Sequence, residues 1–298
     1  MKEIHYFMVG MPSGGKTSYI VRLCDQLINE SNMIYKLEDG ELPDGLSHIS
    51  KQMDEMNSAQ NIMRTLENTH YNVTLPLVDE EGKKSLLTIP DLSGEHYRKL
   101  VEERYISRTI SEGLQQADEI LFFINTETME KEERLNYNER STASLIEEAM
   151  QEEEKNEEQD EEQNKEEISA VRVEVQEKAT QSQVVELLQI LLSMIKKKVR
   201  IKFVMSAWDR VEKKMPMEKI IPEKFLEAEL PLLHQYIISN RDILDYEVFG
   251  VSAQGAEYSD PEEIKELEKE NIEIDKLVKI VMPDGSEYLD ISRLLKQE

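Results

Sequence analysis

One cysteine, Cys24, stands in 298 residues, so no internal disulfide can form. That fits a reducing compartment, and a cytoplasmic location is expected. No run of 18 apolar residues occurs, so no transmembrane helix is expected. The opening residues, Met1-Lys2-Glu3-Ile4-His5-Tyr6, lack the apolar stretch and small-residue cleavage site of a signal peptide and read as the start of a strand. Positive charge is scarce: 36 Lys and Arg stand against 62 Asp and Glu, a net charge of −26. Phosphate-rich surfaces are repelled by such a chain, so neither nucleic acid nor an anionic membrane is an expected partner. Five histidines (His5, His48, His70, His96, His234) and the lone cysteine show no metal-ligand spacing. No serine nucleophile elbow and no kinase signature is present.

What remains is a chain able to build a core. Hydrophobic residues make up 39% and charged residues 33%, a soluble composition with enough apolar material for a core, and 298 residues suit one large domain or two small ones. The acidic charge is concentrated. Residues 127–167 hold 17 Asp and Glu against 5 Lys and Arg, and 151–167 contain no apolar residue. Such a stretch cannot bury anything, so it reads as a disordered or solvated helical insertion, either a spacer or an acidic arm for a basic partner. The expected layout is one domain from 1–126 and 181–298, interrupted by an insertion over 127–180.

Outside the insertion, short apolar runs alternate with helical patterns. Strands are expected at 3–10, 72–79, 84–91, 120–125, 200–206 and 246–252. Helices are expected at 15–29, 100–116, 184–197 and 222–239. The two strands at 72–79 and 84–91 are joined by Glu80-Glu81-Gly82-Lys83, a hairpin-length loop. Strands alternating with helices imply crossovers, so the expected fold is α/β: a mostly parallel six-stranded sheet with one antiparallel strand and helices on both faces. A charged helix over 260–271, a small hairpin over 278–289 and a terminal helix over 291–296 complete the expectation. Cys24 and the methionine stripe of Met53, Met56 and Met63 are expected to pack in the core.

The first strand runs into Gly10-Met11-Pro12-Ser13-Gly14-Gly15-Lys16-Thr17, which is G-x-x-x-x-G-K-[ST] between a strand and a helix. Glycines let the backbone wrap a phosphate, and the loop N–H groups and helix dipole face the anion. Lys16 reaches the outer phosphates, and Thr17 offers a hydroxyl to Mg²⁺. This motif does not distinguish ATP from GTP.

Three later segments point to guanine. Asp91-Leu92-Ser93-Gly94 closes an apolar strand, where a carboxylate can hold the Mg²⁺ shell and the Gly94 N–H can meet a γ-phosphate. Ser206-Ala207-Trp208-Asp209 closes another. Its Asp209 carboxylate can accept two hydrogen bonds from guanine N1–H and N2–H₂, a donor pair adenine lacks. Ser252-Ala253-Gln254-Gly255 closes the last, with a backbone N–H for guanine O6.

With these segments in order, the sequence resembles GTPases of the translation-factor-like (TRAFAC) class, and more narrowly the bacterial double-GTPase family with its DLSGE-type switch and SAWD-like base motif. The resemblance covers residues 1 to about 255 apart from the insertion. It implies a Ras-like P-loop G domain that binds GTP with Mg²⁺, hydrolyses it to GDP, and acts on a protein partner as a nucleotide-dependent switch. Ser206 and Ala207 replace the Asn and Lys of the commoner Asn-Lys-x-Asp motif, and Trp208 is expected either to stack on the base or to pack in the core. Glu95 stands where many Ras-like GTPases place a water-orienting Gln. The switch threonine is Thr65 or Thr69, and Arg64 is placed to act as an arginine finger in cis.

The expected nucleotide-binding set is therefore Gly10, Ser13, Gly14, Gly15, Lys16, Thr17, Ser18, Gly94, Ser206, Asp209, Ser252 and Ala253. The expected catalytic set is Lys16, Glu95 and Arg64, and the expected metal set is Thr17, Asp91 and Thr65. Two rival readings stay open: a nucleotide-sensing scaffold without turnover, and an ATP-using P-loop protein.

Overall fold

Residues of period two build the sheet, and their alternation sorts them between two helix layers. The computed structural model describes residues 3–30, 32–38, 40, 42, 49–58, 73–89, 100, 108–127, 129–130, 179–215, 219–258, 260–270 and 274–297. Strand β1 (Ile4–Gly10) turns Ile4, Tyr6 and Met8 to one face and Phe7 and Val9 to the other. Strand β5 (Glu119–Asn125) repeats this, with Leu121 and Phe123 on the first face and Ile120, Phe122 and Ile124 on the second. Both faces being apolar, these strands read as near-continuous hydrophobic runs, as strands covered on both sides do.

The other strands are β2 (Tyr35–Leu37), β3 (Val73–Asp79), β4 (Lys84–Ile89), β8 (Val199–Ser206), β9 (Leu244–Ser252), β10 (Lys279–Val281) and β11 (Glu287–Tyr288), and the sheet order is β11-β10-β9-β8-β5-β1-β4-β3-β2. Strands β9, β8, β5, β1 and β4 are parallel neighbours. The pairs β2–β3, β3–β4, β9–β10 and β10–β11 are antiparallel. The expected six-stranded, mostly parallel sheet is thus corrected to nine strands with a parallel centre and antiparallel edges. The reason is local. The added edge strands are only two or three residues long, and β10 and β11 are joined across 282–286, a connection too short for the crossover that parallel pairing needs. The short strands β6 (Met129–Glu130) and β7 (Ala179–Thr180) form a separate two-stranded sheet.

Helix α1 (Lys16–Asn29) and α2 (Ile49–Asn57) cover the first face, together with a C-terminal 3-10 turn, Ile291–Leu295. The second face carries α3 (Arg108–Gln116), α4 (Gln181–Met194), α5 (Trp208–Lys214), α6 (Pro222–Glu229) and α7 (Pro231–Ser239). Two expectations change here. The single helix over 222–239 is two, because Pro231 has no N–H to donate and starts a new helix at its first turn. The terminal helix over 291–296 is a 3-10 turn capped by Asp290, whose side chain accepts from the Ser292 N–H. The hairpin over 278–289 is present as β10 and β11, and the charged helix over 260–271 as α8 (Pro261–Glu270).

Two units divide the chain: Met1–Met129 with Ala179–Glu298, and Glu130–Lys178. The acidic stretch expected as an insertion lies, from 131 to 178, outside the described residues. The chain re-enters the first unit at a capping box, where the Thr180 hydroxyl accepts from the Gln183 N–H and the Gln183 side chain accepts from the Thr180 N–H.

Candidate nucleotide site

The phosphate loop follows β1 because glycine is needed there twice. Gly15, the residue before α1, has φ +87°, and a Cβ on it would sit 2.5 Å from Ser206 Oγ. Gly10 has φ +147°, and a Cβ would sit 2.5 Å from the Phe123 carbonyl oxygen. Ser13 takes a left-handed φ of +56° without being glycine. Its carbonyl is held by Asn125 at the end of β5, whose side-chain amide donates to it at 2.9 Å. Lys16 is 4% exposed and donates its ammonium to the carbonyls of Gly10 at 2.7 Å and Met11 at 2.8 Å. Thr17 and Ser18 follow half-buried in the first turn of α1, where helix N–H groups and the dipole favour an anion.

The base side is assembled from the ends of β8 and β9. Ser206 donates its hydroxyl to the Gly14 carbonyl at 2.9 Å, tying this strand end to the phosphate loop. Ala207 then takes a left-handed turn, φ +55° and ψ +41°, and the Thr126 hydroxyl braces it by donating to the Ser206 and Ala207 carbonyls. The turn sends Trp208 inward and leaves Asp209 in the first turn of α5. Trp208 is 1% exposed and packs edge-on against Phe225, with ring centroids 5.4 Å apart. It is a core residue, so of the two expectations for it, packing holds and stacking on a base is corrected. Gly15, Ser18, Ser206, Asp209 and Ala253 line one cavity, together with the apolar Phe123 and Val251. Ser252 is fully buried behind it, against Asp209.

Against this geometry, the family model for Double-GTPase 1 matches residues 7–298. The chain belongs to the Double-GTPase 1 family. A search of curated protein sequences gave no match. Among solved structures, the signal recognition particle receptor SRb-GTP/SRX complex from Chaetomium thermophilum is similar at 12% identity, over 85% of this chain and 92% of that chain, with a TM-score of 0.36. The G domain of the T. maritima FeoB iron transporter is similar at 12% identity, over 92% of this chain and 99% of that one, with a TM-score of 0.31.

In this Double-GTPase 1 member, burial sets the electrostatics of the phosphate loop and of Asp209. It pushes the Lys16 ammonium down to about 7 in the ligand-free protein. It also raises the Asp209 carboxyl above its usual value, against the opposing pull of Arg210. Arg210 is itself gathered by Glu263 at 2.8 Å, Glu257 at 3.4 Å and Glu127 at 3.8 Å. A polyphosphate and a guanine edge would answer these two conflicts in turn, an anion for the lysine and two N–H donors for the carboxylate. Among the described residues, no group of three or more His, Cys, Asp or Glu could hold a metal alone. The Thr17 hydroxyl next to the anion cradle fits a hard cation that takes most of its ligands from phosphate and water.

Asp91, Gly94, Glu95, Arg64, Thr65 and Thr69 lie outside the described residues. The remaining expected residues, from Gly10 through Ser18 and from Ser206 to Ala253, converge on one end of the parallel strands. Two contributors escape motif reading. Asn125 could have been found as a polar residue ending an apolar strand beside the phosphate loop. Arg22 of α1, 1% exposed, donates to the Ala253 carbonyl across 231 positions of sequence, and no local signal marks it.

Proposed function

We propose that this protein binds GTP with Mg²⁺, hydrolyses it to GDP and phosphate, and works as a nucleotide-dependent switch for a protein partner. The observation that supports this best is the convergence of the phosphate loop, Asp209 and Ala253 on one cavity. The loop N–H groups and Lys16 bind the phosphates. With a net charge of −26 the molecule as a whole repels such a ligand, so this local positive field has to supply the attraction. Asp209 selects guanine over adenine, and the Ser252–Ala253 backbone completes the base pocket. Thr17, Asp91 and Thr65 are the proposed Mg²⁺ set, and the ion would neutralise charge on the outer phosphates. Glu95 is proposed to orient the attacking water, and Arg64 to stabilise charge on the departing phosphate. The cytoplasm is the proposed location, and the acidic stretch within 127–180 is a proposed insertion in a single G domain, open to a basic partner.

Glu95 also favours a second reading. A carboxylate beside an anionic γ-phosphate is repelled, which suits a sensor that binds GTP without turnover. Nucleotide titration and single-turnover phosphate release with excess protein and Mg²⁺ decide among these. GTP is expected to bind at least about a hundredfold tighter than ATP, and Asp209→Ala to lose most of that preference. Equal affinity for ATP and GTP, or unchanged binding by Asp209→Ala, would overturn the guanine reading. Tight GTP binding with no phosphate release until a partner is added would leave the sensor.

A further inference from the structure

Two side chains outside every motif, neither of them lining the cavity, hold the loop that follows β9. Arg22 Nε donates to the Ala253 carbonyl at 3.1 Å. The same guanidinium is pinned on its other side: Nη1 donates to Asp25 Oδ2 and to Asn57 Oδ1, each at 3.1 Å. The Asn57 amide in turn donates to Asp25 Oδ1 at 3.1 Å, which closes a ring of three side chains. Tyr258, 8% exposed, donates its hydroxyl to the next carbonyl, that of Gln254, at 2.8 Å.

Two consecutive carbonyls are thus drawn to protein donors. In a trans peptide the N–H points opposite to the C=O of the same plane, and no cis peptide occurs among the described residues. Holding the carbonyls of 253 and 254 therefore turns the N–H groups of Gln254 and Gly255 the other way. Ala253 and Gln254 line the cavity that Asp209 also lines. A buried guanidinium is costly to keep, and here Asp25 and Asn57 hold it so that its Nε meets a loop carbonyl.

We propose that Arg22 and Tyr258 are positioning residues for base recognition, aiming the N–H groups of this loop at a carbonyl oxygen on the bound base, the O6 position of guanine. The proposal rests on the guanine reading above. Neither residue touches the ligand. They act by removing the freedom of two peptide planes, so the donors are in place before the base arrives.

The test compares GTP, 6-thio-GTP and inosine triphosphate by equilibrium titration of the full chain. 6-thio-GTP keeps the N1–H and 2-amino edge for Asp209 and replaces the oxygen with a poor acceptor. Inosine triphosphate keeps the oxygen and lacks the 2-amino group. The wild type is expected to prefer GTP over 6-thio-GTP by about tenfold, one well-placed hydrogen bond. Arg22→Lys, Arg22→Gln and Tyr258→Phe are each expected to weaken GTP and bring that ratio toward one. Their ratio of GTP to inosine triphosphate, which reads the Asp209 contact, is expected to stay at the wild-type value. A merely structural role would lower both ratios together, and that result overturns the proposal, as does an unchanged 6-thio ratio in a folded variant. Should the Arg22 variants fail to fold, Tyr258→Phe removes one hydroxyl, keeps the ring and decides alone. A wild type that prefers GTP over ATP but ignores the sulfur substitution overturns this proposal and leaves the guanine reading standing. A wild type with no preference over ATP overturns both.

Discussion

Lys16 shows how burial converts one side chain into a pH-dependent ligand contact. Its folded, ligand-free value near 7 lies below the roughly 10.4 of an unfolded lysine. Between those values the unfolded chain holds a proton that the folded protein does not. The ligand-free protein therefore gains stability as pH rises through that window, and the gain is complete above it. Phosphate reverses the preference, because an anion beside the ammonium favours the charged form. Nucleotide binding above pH 7 is thus expected to take up a proton, approaching about one per site at pH 8, with affinity falling up to about tenfold per further pH unit. Calorimetry in two buffers of different ionisation heat reads this directly, and binding without proton uptake at pH 8 would refute it. Asp209 governs the acid side. Burial raises its carboxyl, so lowering the pH protonates the acceptor that guanine needs, and GTP affinity falls there too.

At the scale of elements, the seven-residue helix α5 is placed by what it packs on. Trp208 lies flat against Gly250 of β9: a Cβ there would come within 2.7 Å of the indole carbons Cε2 and Cγ. Since Trp208 is fully enclosed, it cannot swing away. Gly250→Ala is expected to cost about 1–3 kcal/mol through overpacking and to weaken GTP binding as well, because Asp209 is the next residue on the displaced helix. Denaturant unfolding and GTP titration of the same sample check both, and Trp208→Phe in the same chain is expected to recover part of the loss. The segments β1–loop–α1, Ser206–Asp209 and Ser252–Gly255 were legible in the sequence because their chemistry is carried by adjacent residues. Strands β2, β10 and β11 span only three, three and two residues. That is too short for an alternation to register: β2 was illegible, and the hairpin of β10 and β11 was legible only without its pairing to β9. Arg22, Asn125 and Tyr258 were illegible for another reason, since each acts on a carbonyl that only folding brings near.

Across the whole molecule, the segment from Leu289 to Gln297 straps the first face of the sheet. Its carbonyls are taken by donors from four elements. Gln26 of α1 donates to Leu289, Tyr6 of β1 and Tyr35 of β2 both donate to Leu295, and Lys202 of β8 donates to Leu294 at 3.0 Å and Lys296 at 2.8 Å. Lys202 is fully buried in the middle of its strand and pairs with Glu119 of β5 at 3.0 Å. One cation thus ties two central strands to the end of the described chain. Substituting only the lysine removes the donor of two carbonyls and the nearest cation of a buried carboxylate, which keeps the Gln297 amide at 3.2 Å and Arg200 at 3.8 Å. Lys202→Met is therefore expected to lower unfolding free energy by about 3–5 kcal/mol, which denaturant melts would show. Adding Glu119→Gln removes the stranded charge, so the double variant should stand above the single one. A single variant within about 1 kcal/mol of wild type would mean that water reaches Glu119 and that the strap contributes little. The base cavity lies at the Ser206 end of β8, four residues beyond Lys202, so the folded fraction of the single variant should still bind GTP within about threefold of wild type, as expected for sites that share no partner.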